Sequence, residues 1–506
     1  MRYFRLGAIA LALAFVLIAP FFLVRRGELP RGSRWMAVPS THDMRQHLSV
    51  QRQLDAAVRL GELWPRWQPE FNKGYGLPWL NYYPPGFYWL TEMVHVAIRD
   101  VLDAVFLISI LTMAASGLAT YALARRFFSM NASIVAALFY MITPYHLLDL
   151  YWRGALPELA GFFFVPLIVL LAHRRSIALL AIAHGAYLMT HIPVAYLLTL
   201  TLLLYAALRR EIRIVIGLAW GFAIGAVYWL VALLEKHHVQ DTFSRDYPYQ
   251  RSYITLAEGD AFQQMLNASF VALAVALLVT LYVTRGGERH FRIIAIATMF
   301  MITPYSIYVA KLIPSIDSVS FAWRWMVIAA LFISMLVAMA FERRAWIAIL
   351  VLVFNLATTA RVMIRAFDNP NLDAPVSYVE TGFVPGRAGD PEKLPNNAPL
   401  ATLSTNGRID VVRWEPLRRE LVVNAARDSM LKLRTYRFRG WTARIDGLRT
   451  NLGMDALGAQ MLPLRAGTHR VVVTYENPRT RNMLAIVSAI ALLAAIFGVR
   501  RPQSPL

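Results

Sequence analysis

Long apolar runs constrain this chain more than any other feature. Stretches of roughly 17–22 apolar residues recur along it, the length a helix needs to cross the hydrocarbon of a bilayer. They read as a polytopic α-helical membrane protein with about twelve spans. The candidate spans cover 7–24, 101–123, 132–148, 159–171, 177–190, 194–208, 214–234, 261–282, 293–308, 321–341, 346–363 and 483–499. The first follows Arg2 and Arg5 and has no small-residue cleavage site behind it, so an uncleaved anchor is expected.

Charge sets the orientation. The 506 residues carry a net charge of +20, which would suit nucleic acid if the arginines were gathered in one patch. They stand between apolar runs instead, where topology signals belong, so no nucleic-acid partner is expected. With the N-terminus inside, alternate loops carry Arg125–Arg126, Arg174–Arg175, Arg209–Arg210, Arg285 with Arg289, Arg343–Arg344 and Arg500–Arg501. Asp43, the Arg153–Glu158 loop, His191 and the region after Arg365 then fall outside. Arg25 and Arg26 break the rule. The expected location is the cytoplasmic (inner) membrane, with the polar loops extracytoplasmic. Zero cysteines exclude disulfides, thiolate metal sites and thiol nucleophiles.

Three segments follow. Residues 1–365 form a transmembrane domain with a large first outer loop, 25–100. From 366 to 480 the apolar runs shorten and alternate, as in Val471, Val473 and Tyr475 against Arg470, Val472 and Thr474. Period-two patterning with turns such as Asp446–Gly447 predicts an extracytoplasmic antiparallel β-sandwich. Residues 481–506 give a last anchor and a short tail.

The first outer loop holds more chemistry than a connector needs. Asp43 and His47 stand one helical turn apart, so a helix from Asp43 puts both on one face. A carboxylate there suits a general base; the same Asp43 with Gln46 also fits a D-x-x-Q capping box. Trp64-Pro65-Arg66-Trp67, Gly74-Tyr75-Gly76-Leu77-Pro78 and Tyr82-Tyr83-Pro84-Pro85 combine aromatic faces with rigid turns. Such faces bind sugar rings, and they also seat at bilayer interfaces. Arg153, Glu158 and Arg324 lie close to hydrocarbon, where ionisable groups are costly unless paired or functional. Two arginines in one outer cavity would grip a phosphate bidentately; snorkelling or an Arg153–Glu158 pair is the plainer alternative. His191 reads as a packed histidine or a ligand-facing one. The adjacent His237 and His238 make a poor metal site, and no metal ligand is assigned. Phosphate-loop and dinucleotide-binding patterns are absent.

His42-Asp43…His47, Gly61…Pro65-Arg66-Trp67, Gly74-Tyr75-Gly76-Leu77-Pro78 and Tyr83-Pro84-Pro85 together resemble polytopic GT-C-fold glycosyltransferases. They resemble in particular bacterial membrane proteins labelled as related to 6-pyruvoyl-tetrahydropterin synthase, and YfhO-like proteins. Arg439-Gly440-Trp441 through Gly447, with Ala466-Gly467-Thr468-His469, resembles the YfhO-like β domain. The likeness touches both ends and the middle of the chain in short motifs. It implies a polyprenyl-phosphate-linked sugar donor, used on the outer face with inversion, and Asp43 as the base, assisted by His47. It also implies substrate contacts from Arg66, Tyr82, Tyr83, Arg153, Glu158, His191 and Arg324. The acceptor would be a lipid, glycan or protein, with membrane lipids around it. The D-x-D metal pairs of oligosaccharyltransferases are absent, so arginines are expected to neutralise the phosphate; a divalent cation remains open as a cofactor. Pterin chemistry is not implied, because no Cys/His zinc constellation is visible. A lipid or glycolipid transporter and a non-catalytic cell-envelope assembly protein are the competing classes.

Overall fold

The computed structural model describes residues 2–23, 41–240, 248–285, 288–368, 382–476 and 479–500. Arg25, Arg26, Arg501 and the opening of the first outer loop lie outside the described residues. In chain order the principal helices are α1 (Arg2–Leu23), α2 (Met44–Arg59), α3 (Gly86–Ile98), α4 (Val101–Ala124), α5 (Met130–Met141), α6 (Leu156–His173), α7 (Ile177–Thr190) and α8 (Ile192–Arg209). After them come α9 (Ala261–Val283), α10 (Trp325–Phe367) and α11 (Arg479–Arg500).

Among the described residues, eight helices are long and apolar enough to cross a membrane, or ten when each of two bent pairs counts as one span. The count falls short of the expected twelve, in part because it takes the kinked stretch Ala322–Phe367 as one span. One bent pair, Ile212–Ile224 with Ala226–His238, turns by 71° at Gly225, a residue that stabilises a helix poorly. The other, Arg289–Phe300 with Pro304–Ala310, turns by 98° ahead of Pro304, whose ring cannot continue the preceding helix. The expected span at 177–190 is α7, which is too short to qualify. The two expected at 321–341 and 346–363 are the two helical stretches of α10, which meet at a kink where Arg344 leaves helical geometry at φ −147°, ψ 79°.

The two ends of the bundle differ in chemistry. At one end the basic loops touch each other. Arg175 pairs with Glu211 at 2.8 Å, Arg343 donates to the Arg285 carbonyl at 2.7 Å, and Glu342 accepts from the Ser129 N–H at 2.6 Å. Asp43, Arg153, Glu158, His191 and Arg324 gather elsewhere, as shown below. Helix α11 presents Met483, Ile486, Ile490, Leu493 and Phe497 outward, an apolar surface suited to lipid.

The C-terminal strands are β1 (Ala401–Leu403), β2 (Gly407–Glu415), β3 (Arg418–Ala425), β4 (Ser429–Tyr436), β5 (Trp441–Ile445), β6 (Leu448–Thr450), β7 (Gly453–Met454), β8 (Ala459–Leu464) and β9 (Gly467–Tyr475). They form two antiparallel sheets, ordered β1-β4-β8-β7 and β2-β3-β9-β5-β6. Leu431, Leu433 and Leu462 from one sheet share a core with Leu421, Val423, Val471 and Val473 from the other. The alternation read from sequence is thus the inward face of a sandwich. Asp446 and Gly447 both take positive φ (51° and 83°), as a two-residue hairpin turn between right-twisted strands requires.

The outer loop cradles this sandwich. Trp67, 1% exposed, sits with its ring 5.5 Å from Trp441, 6.0 Å from Phe438 and 6.1 Å from Tyr475. Gly76, at φ +76°, leaves room for that indole, which a Cβ would strike. The Tyr75 carbonyl accepts from the Tyr436 N–H at 2.8 Å, and Lys73 donates to the Leu394 carbonyl at 2.6 Å. Part of the loop's aromatic content therefore serves packing.

Candidate active site

The site is built where α2 begins. The Thr41 hydroxyl accepts from the Met44 N–H at 3.2 Å, and the Asp43 side chain makes no capping bond. The carboxylate is thus released from the structural job that a capping box would give it. Asp43 is fixed through its backbone, since its N–H donates to the Arg153 carbonyl at 2.8 Å. That approach demands a glycine next door: Gly154 has φ +65°, and a Cβ there would collide with the Thr41 hydroxyl and Met44.

Arg153 ends a single turn of π-helix, Asp149–Arg153. Such wide turns occur mostly as isolated insertions, often at functional sites. Its Nη1 donates to Asp149 Oδ1 at 2.5 Å and to Glu158 Oε2 at 2.9 Å. Glu158, in the first turn of α6, also accepts from the Tyr145 hydroxyl at 2.7 Å and from Arg324 Nε at 3.1 Å. His191 Nε2 lies 3.7 Å from the same carboxylate. Arg324, at the head of α10, donates through Nη1 to the Val319 carbonyl at 2.5 Å. Both guanidiniums face the Phe321 ring, at 5.6 Å for Arg153 and 5.0 Å for Arg324. All four of Arg153, Glu158, His191 and Arg324 are buried, while Asp43 is half-buried.

His47 lies one turn along α2 from Asp43 and is 2% exposed. Its Nδ1 is 2.8 Å from the Tyr88 hydroxyl, and its ring is 5.8 Å from that of Tyr83. Burial lowers the imidazole to about 4; the Asp43 carboxylate opposes this and Arg153 adds to it. His47 is therefore neutral near pH 7 and serves as a hydrogen-bonding neighbour. Burial raises the Tyr83 phenol above its ordinary value, with the Asp43 charge second in weight.

The electrostatic balance differs from what the sequence leads one to expect. Arg153 and Arg324 are not waiting for an anion, because Asp149 and Glu158 already balance them. Buried guanidiniums need such partners. A guanidinium has five N–H donors, and these bonds engage two on each. The remaining donors can hold a phosphate oxygen directionally, but the pair supplies no uncompensated charge. Asp149, Tyr145 and Tyr88 did not enter the sequence reading. The one signal for Asp149 was its helical i,i+4 spacing to Arg153.

Arg66 and Tyr82 belong to a second polar cluster, at the seam with the sandwich. The Tyr82 hydroxyl donates to the Glu235 carbonyl at 3.0 Å, and its ring stacks on Phe383 at 5.4 Å. Arg481 donates to Asn81 at 2.7 Å, and Asn81 to the Tyr475 hydroxyl at 3.3 Å. Arg66, 5% exposed, is lowered to about 9 by burial first and by the nearby charge of Arg481 second.

The profile of a family described as the 6-pyruvoyl-tetrahydropterin synthase related domain, a membrane protein, matches residues 80–366. No curated protein matches the chain. Among solved structures, the arabinofuranosyltransferase AftD from Mycobacteria aligns with TM-score 0.48 and 19% identity, over 72% of this chain and 27% of that one. The oligosaccharyltransferase of Archaeoglobus fulgidus, in complex with Zn and sulfate, aligns with TM-score 0.44 and 12% identity, over 73% and 54%. ArnT from Cupriavidus metallidurans bound to undecaprenyl phosphate aligns with TM-score 0.31 and 13% identity, over 74% and 89%. The chain spans about a quarter of the AftD length and about half of the oligosaccharyltransferase.

Proposed function

Because the chain belongs to the 6-pyruvoyl-tetrahydropterin synthase related family of membrane proteins, we propose that it is a membrane glycosyltransferase of the GT-C type. It would transfer a sugar from a polyprenyl-phosphate-linked donor to an acceptor hydroxyl at the outer face of the cytoplasmic membrane. The observation that carries this reading is the Asp43 carboxylate. It is free of capping, half-buried, and held by its own backbone against Arg153 beside Glu158 and Arg324.

In this mechanism Asp43 takes the proton of the acceptor hydroxyl as that oxygen attacks the anomeric carbon. The bond from that carbon to the phosphate oxygen breaks on the opposite side, so the configuration inverts. Charge develops on the departing polyprenyl phosphate, and N–H donors of Arg153 and Arg324 left over from their ion pairs would meet it. Glu158 keeps both guanidiniums in place, and neutral His47 fixes the wall between Tyr83 and Tyr88. The donor class and the role of Asp43 come from the motif resemblance; the uncapped, half-buried setting of its carboxylate supports that role.

Asp43→Asn tests it, with turnover of a lipid-linked sugar measured in membranes. Removing a general base lowers the rate by about 10²–10⁴-fold, with the protein still folded. Turnover at the wild-type rate would remove Asp43 from the mechanism.

A further inference from the structure

A further cluster lies at the opposite end of α2 from Asp43, between that helix and α3. His95, 3% exposed, directs Nδ1 between two carboxylates, 3.5 Å from Asp55 Oδ1 and 3.7 Å from Glu92 Oε1. Those distances are long for N–H···O bonds, which fall near 2.7–3.2 Å, and Nδ1 has no hydrogen-bond partner. Each of the three residues offers a ligand atom within 4.8 Å of the others. Glu92 is itself 3% exposed. It is oriented by Gln51, fully buried, whose amide donates to Oε2 at 2.8 Å while its own oxygen is left unpartnered. Arg59, exposed, pairs with Asp55 at 2.8 Å, a surface contact that is released cheaply.

A buried imidazole nitrogen without a hydrogen-bond partner, set between two carboxylates at distances too long to bond, describes a site arranged around something else. We propose that Asp55, Glu92 and His95 bind a first-row divalent metal ion that clamps α2 to α3. One imidazole nitrogen with two carboxylates suits Zn²⁺ or Mn²⁺, whereas Mg²⁺ and Ca²⁺ take oxygen donors. Donors about 2.0–2.2 Å from such an ion lie a little closer together than the 3.5 and 3.7 Å seen here, so a small closure of the side chains completes the site. The half-buried Asp55 gives the ion a path in from solvent.

The clamp has a consequence for the neighbouring site. Helix α2 carries His47 and starts at Asp43, and α3 carries Tyr88, the partner of His47. An ion joining the two helices fixes the spacing on which that contact depends. Asp55, Glu92 and His95 are positioning residues and do not touch the reacting atoms.

The test uses the full chain in detergent, stripped with a chelator and then dialysed against trace Zn²⁺ or Mn²⁺. The wild type retains about one ion per chain, in keeping with a single closed set of ligands. The bound Mn²⁺ shows electron–nuclear coupling to an imidazole nitrogen. Glu92→Gln and His95→Gln lose the ion, and Gln51→Leu weakens binding by about 10–100-fold, as loss of a ligand's supporting partner does elsewhere. Asp43→Asn keeps the ion, which separates this proposal from the catalytic one. Failure of the stripped wild type to take up either ion, Mn²⁺ without nitrogen coupling, or equal uptake by folded Glu92→Gln and His95→Gln would overturn it.

Discussion

Glu158 is the hub of the charged cluster, and its removal has a calculable cost. Its carboxylate accepts from Tyr145, Arg153 and Arg324 with 1% of its surface exposed. In Glu158→Gln the side-chain volume is kept and the charge is lost. Arg153 retains Asp149 at 2.5 Å. Arg324 retains only the Val319 carbonyl among the described acceptors, and a carbonyl does not balance a buried guanidinium. Removing one partner of a buried pair costs about 3–5 kcal/mol, and most of it should come from Arg324. A second substitution then discriminates: Arg324→Met in the Glu158→Gln background removes the stranded charge and recovers about 2 kcal/mol or more, because apolar replacement of a whole buried pair is near neutral. Arg153→Met in that background recovers less, since it strands Asp149. The assay is denaturant unfolding of the purified protein in mixed micelles, read as a double-mutant cycle. The reasoning is refuted if Glu158→Gln costs under about 1 kcal/mol, or if the Arg324 and Arg153 double variants are equally stable.

The depressed His47 imidazole makes stability depend on pH. Its stabilising contribution is complete above the unfolded value near 6.5 and is lost as pH falls toward about 4. The total is about 3 kcal/mol by linkage, and His47→Gln should flatten that part of the acid unfolding profile. Trp67→Ala should cost about 3–5 kcal/mol and leave the sandwich strands open to limited proteolysis while the spans stay protected; an unchanged digestion pattern would show that the cradle does not depend on the indole. Thr41→Val removes the cap of α2 and should cost about 1 kcal/mol, whereas Asp43→Asn should leave stability nearly unchanged. Equal losses in the two would return the capping role to Asp43.

What could be read from the chain depended on how local the signal was. The strands were legible because alternation at Val471, Val473 and Tyr475 is set by neighbours in sequence, and β9 carries that pattern. The spans were legible in position, and Arg343–Arg344 marked the break inside α10, but hydropathy does not register the bends at Gly225 and before Pro304. At the site, Arg153 and Glu158 stood out because charge is costly there, and Arg324 because it opens a span. Asp149 and Tyr145 were hidden inside an apolar run, and the Asp149–Arg153 bond closes within a π turn that no periodicity announces. Trp67 could be read locally as a sugar platform or an interfacial ring, because its actual partners, Phe438, Trp441 and Tyr475, come from the far end of the chain.

The backbone bond from Asp43 to Arg153 ties the head of α2 to the π turn that ends at Arg153. In the proposed mechanism the base and one phosphate-holding arginine share this hydrogen-bonded joint, so a motion that parts them must first break it. On that proposal, gating of turnover falls to the arrival of the two reactants.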